Sequence, residues 1–190
     1  NRLPEANELL GDGLNVVSTT ELRPESSLNA NLGFNLKMFA HGQNTLSISG
    51  NAFYRDVMDL IQQYQYDMGA FVHINFDKVN MTGVDAKIQY HHQQFFTITQ
   101  TISYLNPIVK SDKDELGNNN VTYDVRLPNV PFFQSNSELR FSLNSLFKKE
   151  SQTSIYWNMG YVGSFYRYSE IIGKYNKDKI PAQLVNNSGA

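Results

Sequence analysis

The sequence predicts an all-β chain: an antiparallel up-and-down meander of about six to seven strands, forming part of a transmembrane β-barrel. Three observations predict it. Apolar and polar residues alternate with period two over long stretches, the repeat of a strand that turns successive side chains to opposite faces. The connections run short, long, short, long, which puts brief turns on one side of the sheet and extended loops on the other. The face opposite the apolar one carries mainly Asn, Ser, Thr and Gln rather than Lys and Glu, as suits a wet interior against which other polar groups pack.

The first 27 residues are turn-rich, with Pro4, Gly11, Gly13 and Pro24, and Pro4 to Leu10 can make a short helical turn. A strand follows from Ser27 to Ala40: Leu28, Ala30, Leu32, Phe34, Leu36 and Met38 form one face, and Asn29, Asn31, Gly33, Asn35 and Lys37 the other. His41 to Asn44 is a tight connection. Leu46, Ile48, Gly50, Ala52 and Tyr54 then oppose Ser47, Ser49, Asn51 and Arg55, with Phe53 interrupting the polar face. This strand is expected to run to Tyr66 with a kink near Asp56.

Asp67-Met68-Gly69 begins the return, and residues 71–90 are extended, with a bulge expected at Gly83. His91 to Gln94 forms the second short turn. Phe96, Ile98, Ile102 and Tyr104 oppose Thr97, Thr99, Thr101 and Ser103. A long polar loop spans Asn106 to Thr122. After Pro128 and Pro131, Leu139, Phe141 and Leu143 alternate with Glu138, Arg140 and Ser142. Asn144 to Glu150 turns the chain into Ile155, Trp157, Met159 and Tyr161. A last loop, Ser169 to Pro181, leads into Ala182–Ala190. Tyr54, Tyr64, Tyr66, Tyr90, Tyr104, Tyr161, Phe165, Tyr166 and Tyr168 fall near strand ends, where the aromatic girdles of a membrane barrel lie.

Bulk composition narrows the function. Hydrophobic residues make up 41% and aromatic residues 13% of the 190, yet the mean hydropathy is -0.42. No run approaches the roughly 18 apolar residues of a membrane helix, and barrel strands do not need one because alternation hides their apolar residues. A net charge of -2 supplies no basic footprint for nucleic acid. The absence of cysteine excludes a disulfide framework and thiolate metal sites. No signal-peptide pattern opens the chain, which starts on Asn1 and stops at Ala190 inside an alternating segment; it is expected to be a piece of something longer.

Four stretches carry a family resemblance. Leu22-Arg23-Pro24-Glu25-Ser26-Ser27, followed at once by a strand, resembles the Leu-Lys-Pro-Glu lead-in to a barrel strand of TonB-dependent outer-membrane receptors. Asn51-Ala52-Phe53-Tyr54-Arg55-Asp56 with Asp59-Leu60-Ile61 resembles the next strand of that barrel. Thr82-Gly83-Val84-Asp85 resembles the following Gly-hydrophobic-Glu step, with Asp in place of Glu, and Arg126-Leu127-Pro128-Asn129-Val130-Pro131 resembles a later Pro-Asn-x-Pro lead-in. Arg2-Leu3-Pro4-Glu5-Ala6-Asn7-Glu8-Leu9 and Ile180-Pro181-Ala182-Gln183 are similar to further loop-to-strand junctions.

The resemblance implies that residues 1–190 are part of one TonB-dependent receptor β-barrel domain, siderophore-receptor-like, with the plug, the TonB box, the N-terminal strands and the terminal strand lying outside it. It implies an active importer of ferric siderophore, haem or a similar nutrient in the outer membrane of a Gram-negative bacterium. Partners would be the plug, the remaining strands, outer-membrane lipid, a small ligand, and the TonB complex through the absent N-terminal segment. Asn29, Asn31, Asn35, Arg55, Lys87, Glu138 and Arg140 would face the plug; Leu32, Phe34, Ile88, Phe141 and Trp157 would face lipid. The loops around 66–70, 106–122 and 169–180, with Arg2–Leu22, would face outward and help to capture ligand. Such barrels close about twenty-two strands around a plug, which six cannot do, so an isolated piece is expected to cover its apolar face by self-association or with its own loops.

The sequence offers little other chemistry. His91-His92 would send its side chains apart, so no metal site is expected. Asp112-x-Asp114 with Gly117 fails as a calcium loop, because Leu116 and Tyr123 occupy ligand positions. Neither a phosphate loop nor a nucleophile elbow is present, and His41 and His73 have no evident partner. Asn80-Met81-Thr82, Asn120-Val121-Thr122 and Asn186-Asn187-Ser188 match a glycosylation pattern that is common by chance. No catalytic residues, no cofactor and no enzyme activity are expected; ligand-contacting residues are not legible. A soluble β-sandwich binding carbohydrate is the competing reading, and a structural or adhesin repeat lacks the fixed period it needs.

One substitution separates barrel from sandwich. Phe34→Asp should impair membrane assembly in the parent barrel, since a lipid-facing charge costs up to a few kcal/mol depending on depth; membrane fractionation reads the loss. A sandwich would show ordinary core destabilisation in solution.

Overall fold

The computed structural model describes residues 1–40, 43–67, 69–113, 119–144, 151–167 and 179–189. Elements follow in chain order: helix α1 (Ala6–Leu10), then strands β1 (Val16–Val17), β2 (Ser26–Ala40), β3 (Asn44–Asp67), β4 (Ala70–His92), β5 (Phe96–Val109), β6 (Phe133–Asn144), β7 (Gln152–Val162), β8 (Phe165–Tyr166), β9 (Lys179–Ile180) and β10 (Gln183–Gly189). Strands β2 to β7 and β10 form one antiparallel sheet in the order β10-β7-β6-β5-β4-β3-β2, and β1 adds to β4 in parallel. Beyond it, β8 and β9 make a small hairpin.

This is a single-layer meander, as the period-two pattern predicts. A sandwich needs a second sheet packed on the first, and none is present among the described residues. That corrects the carbohydrate-module reading.

Each strand pair keeps one register from end to end, apart from a shift at the tip of the β3–β4 hairpin between Gln65 and Asp67. Paired residues share a face. Leu32 stands beside Ala52, which stands beside Val84, then Tyr104 and Phe133. The alternation therefore runs across the whole sheet as two opposite faces.

The expected bulge at Gly83 is absent. Gly83 pairs in unbroken register with Phe53 on one side and Leu105 on the other. Its glycine serves space: a Cβ there would lie 2.3 Å from the Phe53 ring and 2.7 Å from the Tyr104 carbonyl oxygen. Phe53 leaves the polar pattern because its ring covers bare backbone on the neighbouring strand, a known rescue of strand glycines. Phe34 covers Gly50 in the same way, where a Cβ would sit 2.5 Å from the ring.

Four other expectations also shift. The irregular residue of β3 is Asp59, with φ 55°, while Asp56 pairs normally with Leu28 and Asn80. His91 and His92 still belong to β4, so the second turn is residues 93–95, with Gln93 at φ 51°. Strand β5 continues through Asn106 to Val109, and no long loop lies at 66–70: β3 ends at Asp67 and β4 starts at Ala70. The length there is in the strands. Pairing with β2 stops at Met58 and pairing with β5 stops at Val79, so residues 59–67 and 70–78 stand out as an antiparallel arm, to which β1 adds at Phe71 and Val72. The turns at 41–42 and 145–150, Asp114, Gly117 and residues 168–178 lie outside the described residues.

The small core sits where this arm meets the sheet. Val79, Val109 and Leu127 are buried, and Leu60, Phe76, Met81 and Val130 pack against them. The segment after the long loop supplies Leu127 by running back along the end of β5: Leu127 N–H donates to the Pro107 carbonyl at 3.0 Å and Val109 N–H to the Val125 carbonyl at 2.9 Å.

Gly83→Ala should destabilise the protein by about 1–3 kcal/mol, the usual cost of overpacking a close-fitted site. Phe53→Ala in that background should recover only part, because the Tyr104 carbonyl remains in the way. Denaturant midpoints of the single and double variants measure both effects.

Candidate functional site

The sheet offers two surfaces and one loop cluster. The inner face carries every residue expected to meet other protein: Asn29, Asn31, Asn35, Arg55, Lys87, Glu138 and Arg140 share it by register. Its groups are partly tied to one another. Arg140 pairs with Glu138 at 3.1 Å, Gln89 donates to Thr99 Oγ1 at 3.4 Å, and His91 Nδ1 lies 2.9 Å from Thr97 Oγ1. His92 points to the other face and stacks on Phe96, with centroids 5.1 Å apart. The two histidines thus cannot share a ligand.

The outer face is bare. Leu32, Phe34, Ile88, Phe141 and Trp157 are all exposed, Leu32 to 79% and Phe34 to 61%, and the described loops do not cover them. Aromatic residues border this face at both ends. Tyr90, His92, Phe95, Phe96 and Phe141 form a contact cluster at the short-turn end. Tyr54, Tyr104, Phe133 and Tyr161 line the loop end, with Phe133 and Tyr161 edge to face at 6.0 Å. Phe96 and Tyr104 mark the two belts on β5; eight residues at about 3.4 Å each separate them by about 27 Å along the strand, which is about 22 Å along the axis of a barrel with strands tilted by about 35°, close to the roughly 25 Å apolar band of an outer-membrane barrel.

The upper belt also drifts. Tyr54 on β3 stands in the ladder row of Asn106, Phe133 on β6 in that of Tyr104, and Tyr161 on β7 in that of Ile102. A slip of about one residue per strand, with a rise of about 3.3 Å and a spacing of about 4.8 Å, corresponds to strands tilted by about 35°. Barrel strands tilt by that amount. Tyr90 joins the lower belt; the side chains of Tyr64 and Tyr66, and Tyr168, lie outside the described residues, and Phe165 and Tyr166 sit in β8, off the sheet.

A family model described as "TonB dependent receptor-like, beta-barrel" matches residues 1–190. The chain belongs to this TonB-dependent receptor β-barrel family. Among solved structures it is similar to one named "Copper transporter OprC", at 15% identity and a TM-score of 0.61, over 97% of this chain and 26% of that one. That likeness is one of fold, and the chain spans about a quarter of the transporter's length. No curated protein sequence matches it significantly.

Within this TonB-dependent receptor barrel the resembling motifs have visible work. Glu25, from Leu-Arg-Pro-Glu, accepts from the Ile61 backbone N–H at 2.7 Å, where the arm leaves the sheet. Two guanidinium nitrogens of Arg2 donate to the Glu25 carboxylate, both at 2.9 Å. The same guanidinium reaches Glu8 at 3.0 Å, and Glu8 closes the capping box of α1 by accepting from Glu5 N–H. Arg23 binds Asp59 and Asp77, both at 2.6 Å, and Asn75 Nδ2 donates to the Arg23 and Asp59 carbonyls. The stretch Arg2–Leu22, expected to face outward, is joined to the arm through Arg2 and Glu25 and through the pairing of β1 with β4.

In Pro-Asn-x-Pro, Asn129 has φ 58°, a left-handed conformation that Asn tolerates better than most residues. Its N–H donates to the Tyr166 carbonyl at 2.8 Å, and Gln62 Nε2 from the arm donates to the Pro128 carbonyl at 3.0 Å. Arm, long loop and β8 are joined in one cluster above the sheet. Sequence reasoning missed Asp77 and Gln62, and it quoted Glu8 and Asp59 only as parts of resembling stretches, without their partners; alternation carries no mark of these contacts.

Burial alone would raise the Glu25 carboxyl, but the Arg2 hydrogen bonds, the Ile61 N–H and the Arg2 charge outweigh it and hold the pKa below its ordinary value. A depressed carboxyl adds stability that is complete above the ordinary carboxylate range of about pH 4–5 and is lost as pH falls through the lowered pKa. Glu25→Ala should cost about 1–2 kcal/mol, the value of charge-assisted hydrogen bonds at a partly exposed arginine. Hydrogen exchange at Ile61 and along the arm should speed up in the variant at pH 7, and the difference should shrink in strong acid.

Proposed function

We propose that this chain forms part of the barrel wall of an outer-membrane receptor in a Gram-negative bacterium that imports a scarce nutrient with energy from TonB. One observation carries the reading: a single sheet whose exposed apolar face is bounded by two aromatic belts about 27 Å apart along the strand, or about 22 Å along the barrel axis, with a polar face behind it. A soluble protein leaves no such band in water. In this role the inner face meets the plug and the outer face meets lipid. The loop cluster forms part of the outward rim, and the TonB complex acts on a segment outside this chain. Family membership supports a transporter or receptor rather than an enzyme.

For cargo, the Arg2–Leu9 and Pro-Asn-x-Pro stretches favour a ferric siderophore, with haem as the next choice. The similar fold named as a copper transporter makes copper a third cargo to test. Deleting the gene in its host should abolish uptake of one of three labelled probes: iron-loaded siderophore, haem or copper. Deleting TonB should abolish the same uptake. Normal uptake of all three in the gene deletion would overturn the nutrient assignment, and recovery of the protein in the soluble fraction would overturn the membrane reading.

A further inference from the structure

Just beyond the loop-side tyrosines, on the face that bears Phe34 and Ile88, the sheet sets two cations side by side. Lys110 N–H donates to the Lys78 carbonyl at 2.8 Å, continuing the β4–β5 ladder past the Val79–Val109 pair. Ladder neighbours share a face, and like charges directly opposite each other repel. The carboxylates lie on the flanks of the pair rather than between its members. Lys78 Nζ is 3.2 Å from Asp56 Oδ2 on β3. Lys110 Nζ pairs with Asp124, whose own N–H donates to the Val109 carbonyl at 2.9 Å on the far side of β5. Across the surface the order is therefore carboxylate, ammonium, ammonium, carboxylate. The row lies between β3 and residues 123–127, inside the sheet and away from its outermost strands β2 and β10.

Its depth is set by the belt below it. Tyr54 ends the apolar face of β3, and its hydroxyl takes a hydrogen bond from Asn80. Asp56 is two residues further, so the Lys78 ammonium beside it stands about 7 Å past Tyr54 along the strand, or about 5–6 Å along the axis of a barrel tilted by about 35°. Headgroups occupy about 5–8 Å on each side of the hydrocarbon. Both lysine side chains stay exposed at this level, to 40% and 36%. Each ammonium has three donors, of which one carboxylate takes a single one, and a phosphate has oxygens enough to bridge two ammoniums. An anion seated between them also removes their mutual repulsion. We infer that Lys78 and Lys110 bind the phosphate of a lipid headgroup in the outer leaflet, with Tyr54 beneath it where the acyl chains begin. Asp56 and Asp124 hold the two ammoniums in position from either flank. The inference rests on the membrane reading above and deepens it, naming which lipid chemistry this stretch of wall meets.

Native mass spectrometry on the whole receptor in detergent provides the test, with lipid A carrying two phosphates, the same lipid A after dephosphorylation, and inorganic phosphate as probes. Wild type should retain the phosphorylated lipid, and the double variant Lys78→Gln, Lys110→Gln should retain it at least tenfold less. The double variant Lys78→Arg, Lys110→Arg should keep it, and dephosphorylated lipid A should bind wild type and the Gln variant equally weakly. Heat-dependent gel mobility equal to wild type shows that the variants fold. Equal retention of the phosphorylated lipid by wild type and the Gln variant overturns the site. So does an equal loss of both lipid forms on substitution, because sugar or acyl contacts would then carry the binding. Lysine-dependent binding of inorganic phosphate without retention of lipid overturns it as well, because the anion would then come from solution. If wild type retains no lipid but is found in the outer-membrane fraction, only the site falls; if it is recovered in the soluble fraction, the membrane reading falls with it.

Discussion

Everything in this sheet depends on one constraint: every strand must keep its register, because the side-chain repeat is two and a slip of one residue exchanges the faces. In hydrocarbon the constraint is stricter, since each backbone group without a partner costs several kcal/mol. The chain carries devices that fix it. Phe34 sits on Gly50, Phe53 on Gly83 and Tyr156 on Gly189, each pair directly opposed across the ladder. Slipping any of these strands would drive a ring into a side chain and leave a glycine uncovered. The interruptions of the alternating pattern are thus its register marks.

The same logic explains how much was legible in the sequence. Faces were, because period two writes burial into the order of residues, and Asn29, Arg55 and Glu138 fall on the side opposite Phe34, Ile88 and Trp157 as that period requires. Turn composition located the second reversal to within two residues, at 91–94 against the observed 93–95, and the earlier one between Asp67 and Ala70. The arm was harder to see. Residues 59–67 and 70–78 run past the ends of the neighbouring strands β2 and β5, and there the polar alternation fades. Glycine chemistry misled at Gly83, since a glycine that frees the backbone and one that makes room for a neighbour look alike until the opposite strand is known.

The loop cluster was the least legible part, for a related reason. Its order comes from contacts between residues far apart in the chain: Arg2 with Glu25, Arg23 with Asp77, Gln62 with Pro128 and Asn129 with Tyr166. None of these has a period. Individually, exposed ion pairs are worth little, but here two arginines each hold two carboxylates, and Glu25 also satisfies a backbone N–H. Each such node fastens three segments at once, which is how a rim with a core of only a few buried side chains keeps a defined shape.

Several polar residues stand on the outer face within the band, among them Gln100 on β5 and Asn186 and Ser188 on β10, and Gln100 shows how one of them is accommodated. Gln100 lies on the apolar side of β5, four residues from Phe96 and four from Tyr104, at the middle of the band. A lone glutamine in hydrocarbon would be costly. Here its amide nitrogen donates to Ser135 Oγ at 2.7 Å and to the Thr101 carbonyl at 3.1 Å, and its amide oxygen accepts from the Ser137 hydroxyl. Gln100 and Ser137 are ladder partners, with Ser135 two residues along β6 on the same face. The three residues break the alternation of two adjacent strands in the same place, and together they close into a group with few free donors. What the bilayer excludes is the unpaired polar atom rather than the polar residue. A strand can therefore carry glutamine at mid-depth wherever its neighbour supplies the partners.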